Sequence, residues 1–377
     1  MNNKILFFLT ICLILLLSCS KDIENKNDFK KLIFNKEKFG LTDSLNFKFI
    51  PLETNEECLI GSISSIKIAD NKIFIQDIHK VNSLFVFNQN GQFITKVGSA
   101  GNAPTQYIDL FGFDIDIKRR LIILDDRHQK RLLFFDFDSY QFKYSLKINF
   151  NFANFQLLSN GNIAFFSYEG FDDIKTKGKS YLLVTDSLGK PIDTFYKTDF
   201  STSLTYSNST NRIYSLKDKF HVFHHLFPYI YEINKKTITP TYELKFKSFK
   251  FPTIEYLKKE SENNKEYTNS LARSGMISSY SIYESSNIIC CPFVCDKQLF
   301  IGLYNKEKDT GYIFSIPDFY RESKLGVFLN PKGATEDYII CTVQPEDIKK
   351  VKNNSILKYL SPTTSEDNPT LCLFKLK

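Results

Sequence analysis

The sequence contains no tryptophan, two methionines, five histidines and only 15 glycines in 377 residues. So little glycine excludes a collagen-like triple helix, which needs roughly one glycine in three. Long hydrophobic runs are scarce as well. The run at Ile5–Leu17, broken by Thr10 and Cys12, falls short of the ~20 apolar residues of a membrane-crossing helix, which excludes a polytopic membrane protein. Composition likewise excludes a coiled coil. No sign of charge dominates, since 49 Lys and Arg oppose 42 Asp and Glu for a net +7. What the chain has instead is 37 Phe and 20 Tyr together with many Ile residues, a mixture that favours strands. With 42% hydrophobic and 24% charged residues it can build a sizeable core and is not disordered. Its length allows one to three domains, including a single all-β propeller or barrel.

The first residues read as an export signal. Lys4 supplies a positive start, Ile5–Leu17 an apolar middle, and Leu16-Leu17-Ser18-Cys19 the end. This last tetrapeptide resembles the lipobox of bacterial lipoproteins, in which the cysteine is acylated and the signal is cut before it. The resemblance implies a signal peptide over 1–18, lipidation at Cys19 and a membrane partner reached through the lipid anchor. Residues 19–44 begin Ser20-Lys21-Asp22-Ile23-Glu24 and continue polar through Lys31, the composition expected of a flexible tether. The acids after Cys19 resemble the surface-export element of some Gram-negative lipoproteins, which points to an outer-membrane lipoprotein on the cell surface or the periplasmic face.

The basic residues do not cluster as a nucleic-acid footprint would require. The dense blocks, Lys118-Arg119-Arg120 and Arg127 to Arg131, flank a strand ending in Asp125 and Asp126; they read as a solvated turn surface, and no nucleic-acid partner is expected. Beyond Cys12 and Cys19, six cysteines remain: Cys58, Cys290, Cys291, Cys295, Cys341 and Cys372. Export would permit up to three disulfides, yet most of these residues lie inside apolar strand-like runs, where a small buried hydrophobe is the commoner role. Cys291 and Cys295 lack the CxxC spacing and second pair of a zinc site.

Self-similarity organises the rest. Lys72-Ile73-Phe74-Ile75-Gln76-Asp77 recurs as Arg120-Leu121-Ile122-Ile123-Leu124-Asp125, and at the same offset Leu84-Phe85-Val86-Phe87-Asn88 recurs as Leu132-Leu133-Phe134-Phe135-Asp136. A third copy runs from Gly161 to Phe166 and from Tyr181 to Lys190, where Gly189 corresponds to Gly91 at a hairpin between third and fourth strands. Looser copies follow at Phe220–Phe223 with Tyr229–Ile233, at Ile288–Val294 with Leu299–Tyr304 and Tyr312–Ile316, and at Tyr338–Val343 with Leu371–Leu376. Four short strands repeating in this way are the blades of a β-propeller, and residues 46–377 divide into six units of about 55 residues. The expected fold is therefore an all-β six-bladed propeller over 45–377. Thr253–Ala272 is the best helical stretch, a short excursion from blade four or five lying on one face of the disc. Open ends would expose unpaired strand edges; the alternating run Leu45–Leu52 is expected to join the last blade beside the C-terminal strand and close the ring.

The chain resembles the six-bladed β-propeller lipoproteins of bacteroidete-type gut bacteria, whose blades are NHL-like. The resemblance rests on the lipoprotein start, on Phe49-Ile50-Pro51-Leu52-Glu53-Thr54 with Leu59-Ile60-Gly61, and on Val97 to Tyr107, where Gly98, Gly101, Pro104 and Tyr107 match the family loop while Asn102, Ala103, Thr105 and Gln106 depart from it. That loop has no following Gly-Lys-Ser/Thr and leads into no helix, so it reads as a blade-to-blade crossover and not as a phosphate cradle. The family pattern brings no established catalytic motif.

Candidate chemistry is thin. His221, His224 and His225 form the only histidine cluster; His221 and His225 would share one strand face and are the candidate metal ligands, needing a third, against the reading of a partly buried aromatic-rich strand. Asp77, Asp125 and Asp126 end strands at repeat-equivalent places and read as turn caps. No catalytic residue is assigned. Two functions fit: a membrane-anchored binding or scaffold module for a protein or glycan, expected to expose an aromatic patch, or a propeller enzyme of lactonase or lyase type holding calcium or zinc in its central channel through acids or histidines from three or more blades. The first is preferred, with no cofactor.

Overall fold

The computed structural model describes residues 29–35, 45–198, 212–234, 237–263, 267–323, 329–348, 364 and 366–377. Strands β1 (Lys30–Asn35) and β2 (Leu45–Pro51) precede the repeats. The first repeat is a meander of β3 (Ser65–Ala69), β4 (Lys72–Asp77), β5 (Ser83–Asn88) and β6 (Phe93–Lys96). Phe74, Ile75, Phe85 and Val86 are wholly buried although neighbouring side chains point to opposite faces. A strand covered on both faces loses polar alternation and becomes a short unbroken apolar run. That is the pattern visible in the repeat, and it demands a sheet on either side.

Those sheets are further copies. Blade two comprises β7 (Leu110–Asp116), β8 (Leu121–Asp126), β9 (Arg131–Asp136) and β10 (Phe142–Lys147); blade three β11 (Asn154–Leu157), β12 (Ile163–Asp172), β13 (Lys179–Thr185) and β14 (Pro191–Thr198); blade four β15 (Ile213–Leu216), β16 (Lys219–Phe223), β17 (Tyr229–Ile233) and β18 (Ile238–Phe246). In blade five β19 (Ile277–Tyr280) and β20 (Tyr283–Glu284) share the inner edge of β21 (Ile288–Cys295), followed by β22 (Gln298–Asn305) and β23 (Thr310–Ser315). Blade six comprises β24 (Asn330–Ala334), β25 (Ile339–Val343) and β26 (Thr370–Leu376), with β2 outermost. One apolar layer fills each seam between neighbouring blades. The chain is a six-bladed β-propeller.

Closure follows the expected route. β2 runs antiparallel to β26 from Leu45 opposite Leu376 to Pro51 opposite Thr370, so the two ends of the ring share one sheet. Pro51 lies on the outermost strand, where a missing N–H costs no ladder bond.

The tether expected over 19–44 is corrected at Lys30–Asn35. These residues form β1, which pairs parallel with β18 and with β23 and joins blades four and five into one sheet. Leu32 and Phe34 are fully buried, and Phe34 stacks on Phe246 with ring centroids 4.7 Å apart. Polar neighbours disguise a two-residue apolar alternation that suffices to fill the wedge between diverging outer strands. Gly311 admits β1, since a Cβ there would sit 2.4 Å from the Ile33 carbonyl oxygen. Cys19 and residues 1–18 lie outside the described residues.

Helices α1 (Ile254–Asn263) and α2 (Tyr267–Leu271) connect blades four and five, as the periodicity indicated, with Leu257 and Leu271 packed on Leu226. The six cysteines beyond Cys19 are buried and none is in a disulfide. Burial pushes the thiols of Cys290, Cys291, Cys341 and Cys372 far up, which keeps them as small, inert hydrophobes.

Candidate functional site

The innermost strands of all six blades face a central channel holding a cavity of about 180 Å³. Lys67 from blade one, Asp114 from blade two, Gln156 from blade three, Tyr214 from blade four, Glu284 from blade five and Lys332 from blade six line it. The inner strands place these side chains because each runs along the channel wall, where consecutive residues such as Ser65 to Ala69 in blade one and Lys332 to Ala334 in blade six line the cavity. Asp114 is almost fully buried and saturated: Oδ1 accepts from the Lys67 ammonium at 2.6 Å and the Ile115 N–H at 2.8 Å, and Oδ2 accepts from the Gln156 amide and the Leu157 N–H, both at 2.7 Å. Glu284 accepts from the Tyr214 hydroxyl at 2.6 Å, the Tyr242 hydroxyl at 3.0 Å and the Lys306 ammonium at 2.5 Å. Burial and the Glu284 charge push the Tyr214 hydroxyl well above its ordinary range, so it remains a donor.

This donor set does not fit a bound cation. Calcium takes six to eight oxygen ligands, whereas the two channel carboxylates come from opposite blades and already accept from ammonium, amide and hydroxyl donors. The histidines do not complete a site either. β16 ends at Phe223, so His225 lies beyond the strand and shares no strand face with His221. His221 instead stacks on Tyr214 at 5.0 Å, while His225 lies edge-on to Tyr168 at 5.3 Å and stacks on His224 at 4.7 Å. Burial drives His224 and His225 well below the usual histidine range, and the nearby Arg212 charge adds to this. Among the described residues no three His, Cys, Asp or Glu side chains come together as a metal site.

The Gly98–Tyr107 segment is a crossover from β6 to β7. Gly98 has φ +66°, Tyr107 is fully buried and donates its hydroxyl to the Asn82 carbonyl at 3.1 Å, and Arg131 donates to the Pro104 carbonyl at 2.9 Å. Gly101 donates its N–H to the Tyr107 carbonyl, and a Cβ on it would meet the Gln106 side chain. All four matched residues thus hold the loop shape. Two of the three strand-ending aspartates do similar work: Asp77 accepts from the N–H groups of Gly61, Ser62, His79 and Lys80, and Asp126 from Ile108 N–H and Arg131, whereas Asp125 accepts from the Arg127 guanidinium and caps no turn. In the basic blocks Arg119 pairs with Asp116, Arg120 with Asp70 and Asp138, Arg127 with Asp125 and Arg131 with Asp126.

A second concavity lies where the outer strand of blade three meets blade four and the start of α1. It encloses about 520 Å³ and is lined by the half-buried Tyr196, Phe227, Tyr229 and Tyr231, the Tyr196 hydroxyl itself being buried, with Lys197, Thr198 and Thr253 among its polar lining. The rings form a continuous surface: Tyr196 to Tyr231 is 4.7 Å and Tyr229 to Tyr231 is 6.4 Å between centroids. Tyr196 is held at φ +63°, an unfavourable region for a bulky residue that costs on the order of 1–3 kcal/mol. No motif announces this groove, because its rings come from two blades; the signal in the sequence is the tyrosine density of Tyr229-Ile230-Tyr231.

Solved structures agree with the architecture. The chain is 25% identical to a protein of Bacteroides fragilis described as exported, with a TM-score of 0.85 over 92% of this chain and 100% of that one. A member of the duf4221 family from Bacteroides vulgatus matches at 10% identity and a TM-score of 0.55, over 89% of this chain and 99% of that one. No curated protein matches the sequence. A family profile described as a 6-bladed beta-propeller matches residues 21–342, and the chain therefore belongs to the DUF5128 family.

Proposed function

We propose that this protein is a lipid-anchored propeller of the outer membrane that binds a glycan in the aromatic groove between blades three and four. The observation that carries the reading is the groove itself. Its volume of about 520 Å³ falls in the range of about 300–1,000 Å³ typical of ligand sites, and apolar rings with a few polar groups are the usual lining of such sites. Sugar rings offer apolar C–H faces and hydroxyl edges, and tyrosine supplies a flat apolar ring with a polar tip. The strained Tyr196 supports the assignment, since strain of this kind gathers at ligand-binding positions. Anchoring through Cys19 agrees with the lipobox-like start and with the relative described as exported.

A cation-dependent lactonase or lyase finds no support in the channel, where both carboxylates are taken up by internal donors. The test is calorimetric titration of the folded chain with a panel of soluble polysaccharide fragments, repeated with Tyr229→Ala and Tyr231→Ala. Binding that weakens at least tenfold in both variants, with unchanged melting, supports the groove. A panel that yields no binding, or binding that both variants retain, overturns it; capture of a peptide in place of a sugar would make the partner a protein.

A further inference from the structure

The channel charges do not balance. Lys67 is neutralised by Asp114 at 2.6 Å and Glu284 by Lys306 at 2.5 Å. Lys332 lines the same cavity, is half-buried, and has no carboxylate partner among the described residues. It occupies a special place in its strand, because the β24–β25 register slips between Pro331 and Gly333 and leaves Lys332 as the unpaired residue of a bulge. Bulges re-aim a side chain and are over-represented beside binding sites. The next residue reinforces the placement: a Cβ on Gly333 would sit 2.2 Å from the Ile66 carbonyl oxygen, so glycine lets the inner strands of blades six and one approach closely and sets the Lys332 and Lys67 side chains on adjacent staves of the channel.

We propose that the channel binds a small oxyanion, a phosphate or a short carboxylate, with Lys332 as its cationic anchor. A buried or half-buried ammonium without a counter-charge is costly, and an anion supplied from solution removes that cost. Burial alone lowers the Lys332 ammonium from its ordinary range, with no carboxylate opposing the shift. A cavity of about 180 Å³ has room for roughly six waters at about 30 Å³ each, which suits a small anion. Ser65 and Ser215, from blades one and four, also line the cavity and bring hydroxyl donors suited to oxyanion oxygens. This site is independent of the aromatic groove.

The experiment is calorimetric and thermal-shift titration of the whole folded chain with inorganic phosphate and, separately, succinate, against chloride at equal ionic strength. The expected result is saturable binding of one of the two with a raised Tm, weakened at least tenfold in Lys332→Met and largely kept in Lys332→Arg. The exposed Lys118→Met serves as a charge control and should bind as the wild type does. If neither anion binds more tightly than chloride, or if Lys332→Met binds as well as the wild type, the proposal fails. Glycan titration of Lys332→Met separates the two sites, since groove binding should persist in it.

Discussion

Asn368 reaches across the ring closure to Ile60, accepting its N–H at 2.7 Å although 308 positions separate the two residues. The same side chain donates to the carbonyls of Glu53 at 2.6 Å and Cys58 at 2.8 Å, and the Asn368 N–H bonds the Thr54 hydroxyl at 2.8 Å. One buried amide therefore ties the strand entering β26 to the loop that leads from β2 into blade one.

Replacing that amide leaves a buried N–H and two carbonyls short of partners, each costing on the order of 1–3 kcal/mol when unsatisfied. Asn368→Ala is expected to lose about 2–4 kcal/mol in chemical denaturation, with some relief from entering water. A midpoint within error of the wild type would show that the closure does not depend on it.

Removing Thr370–Lys377 takes away β26, the strand that lies between β2 and β25 in their sheet. It opens the ring, strips Leu371, Cys372 and Phe374 from two seam layers, and exposes two strand edges. The truncated chain should melt at a sharply lower temperature and aggregate; an unchanged melt would remove closure as a source of stability.

Asp125 is fully buried, and desolvation pushes its carboxyl up to about 6 against the opposing pull of Arg127. In the unfolded chain the same group titrates near 3.9. Between these values the native state keeps a proton that the unfolded state has released, so this group's contribution to stability falls as pH rises from about 4 to about 6, by about 3 kcal/mol in all. Asp125→Asn should abolish that component, and its stability relative to wild type should climb across the window. The buried His224 and His225 titrate in the opposite sense, which is why the difference between the two proteins is the quantity to measure; parallel pH profiles would contradict the assignment.

Lipidation is tested directly at its own residue. Cys19→Ser should abolish labelling by a radioactive or clickable fatty acid and shift the protein from the membrane pellet to the soluble fraction. Retained label or retained sedimentation would place the anchor elsewhere.

Six blades were legible from the chain alone because buried middle strands print themselves as repeated apolar runs, such as Ile73–Ile75 and Ile122–Leu124, and because Gly91 and Gly189 mark equivalent hairpins at φ +85° and +77°. The alternating β2 and the terminal β26 carried the closure in the same local code. β1 is not legible in the sequence because Leu32 and Phe34 alone commit it, and its partners β18 and β23 lie more than 200 residues away. His221 and His225 share no strand face for a related reason: the strand, and its alternation with it, ends at Phe223, which the local sequence does not mark. Sites followed a harder rule. Asp114, Glu284 and Lys332 meet only because six inner strands converge on one axis, and the groove rings meet only where blades three and four abut. Local sequence determined the module and its copying, since backbone periodicity is a short-range property; which side chains face one another across the channel was decided by tertiary structure, because neighbours there are far apart in the chain.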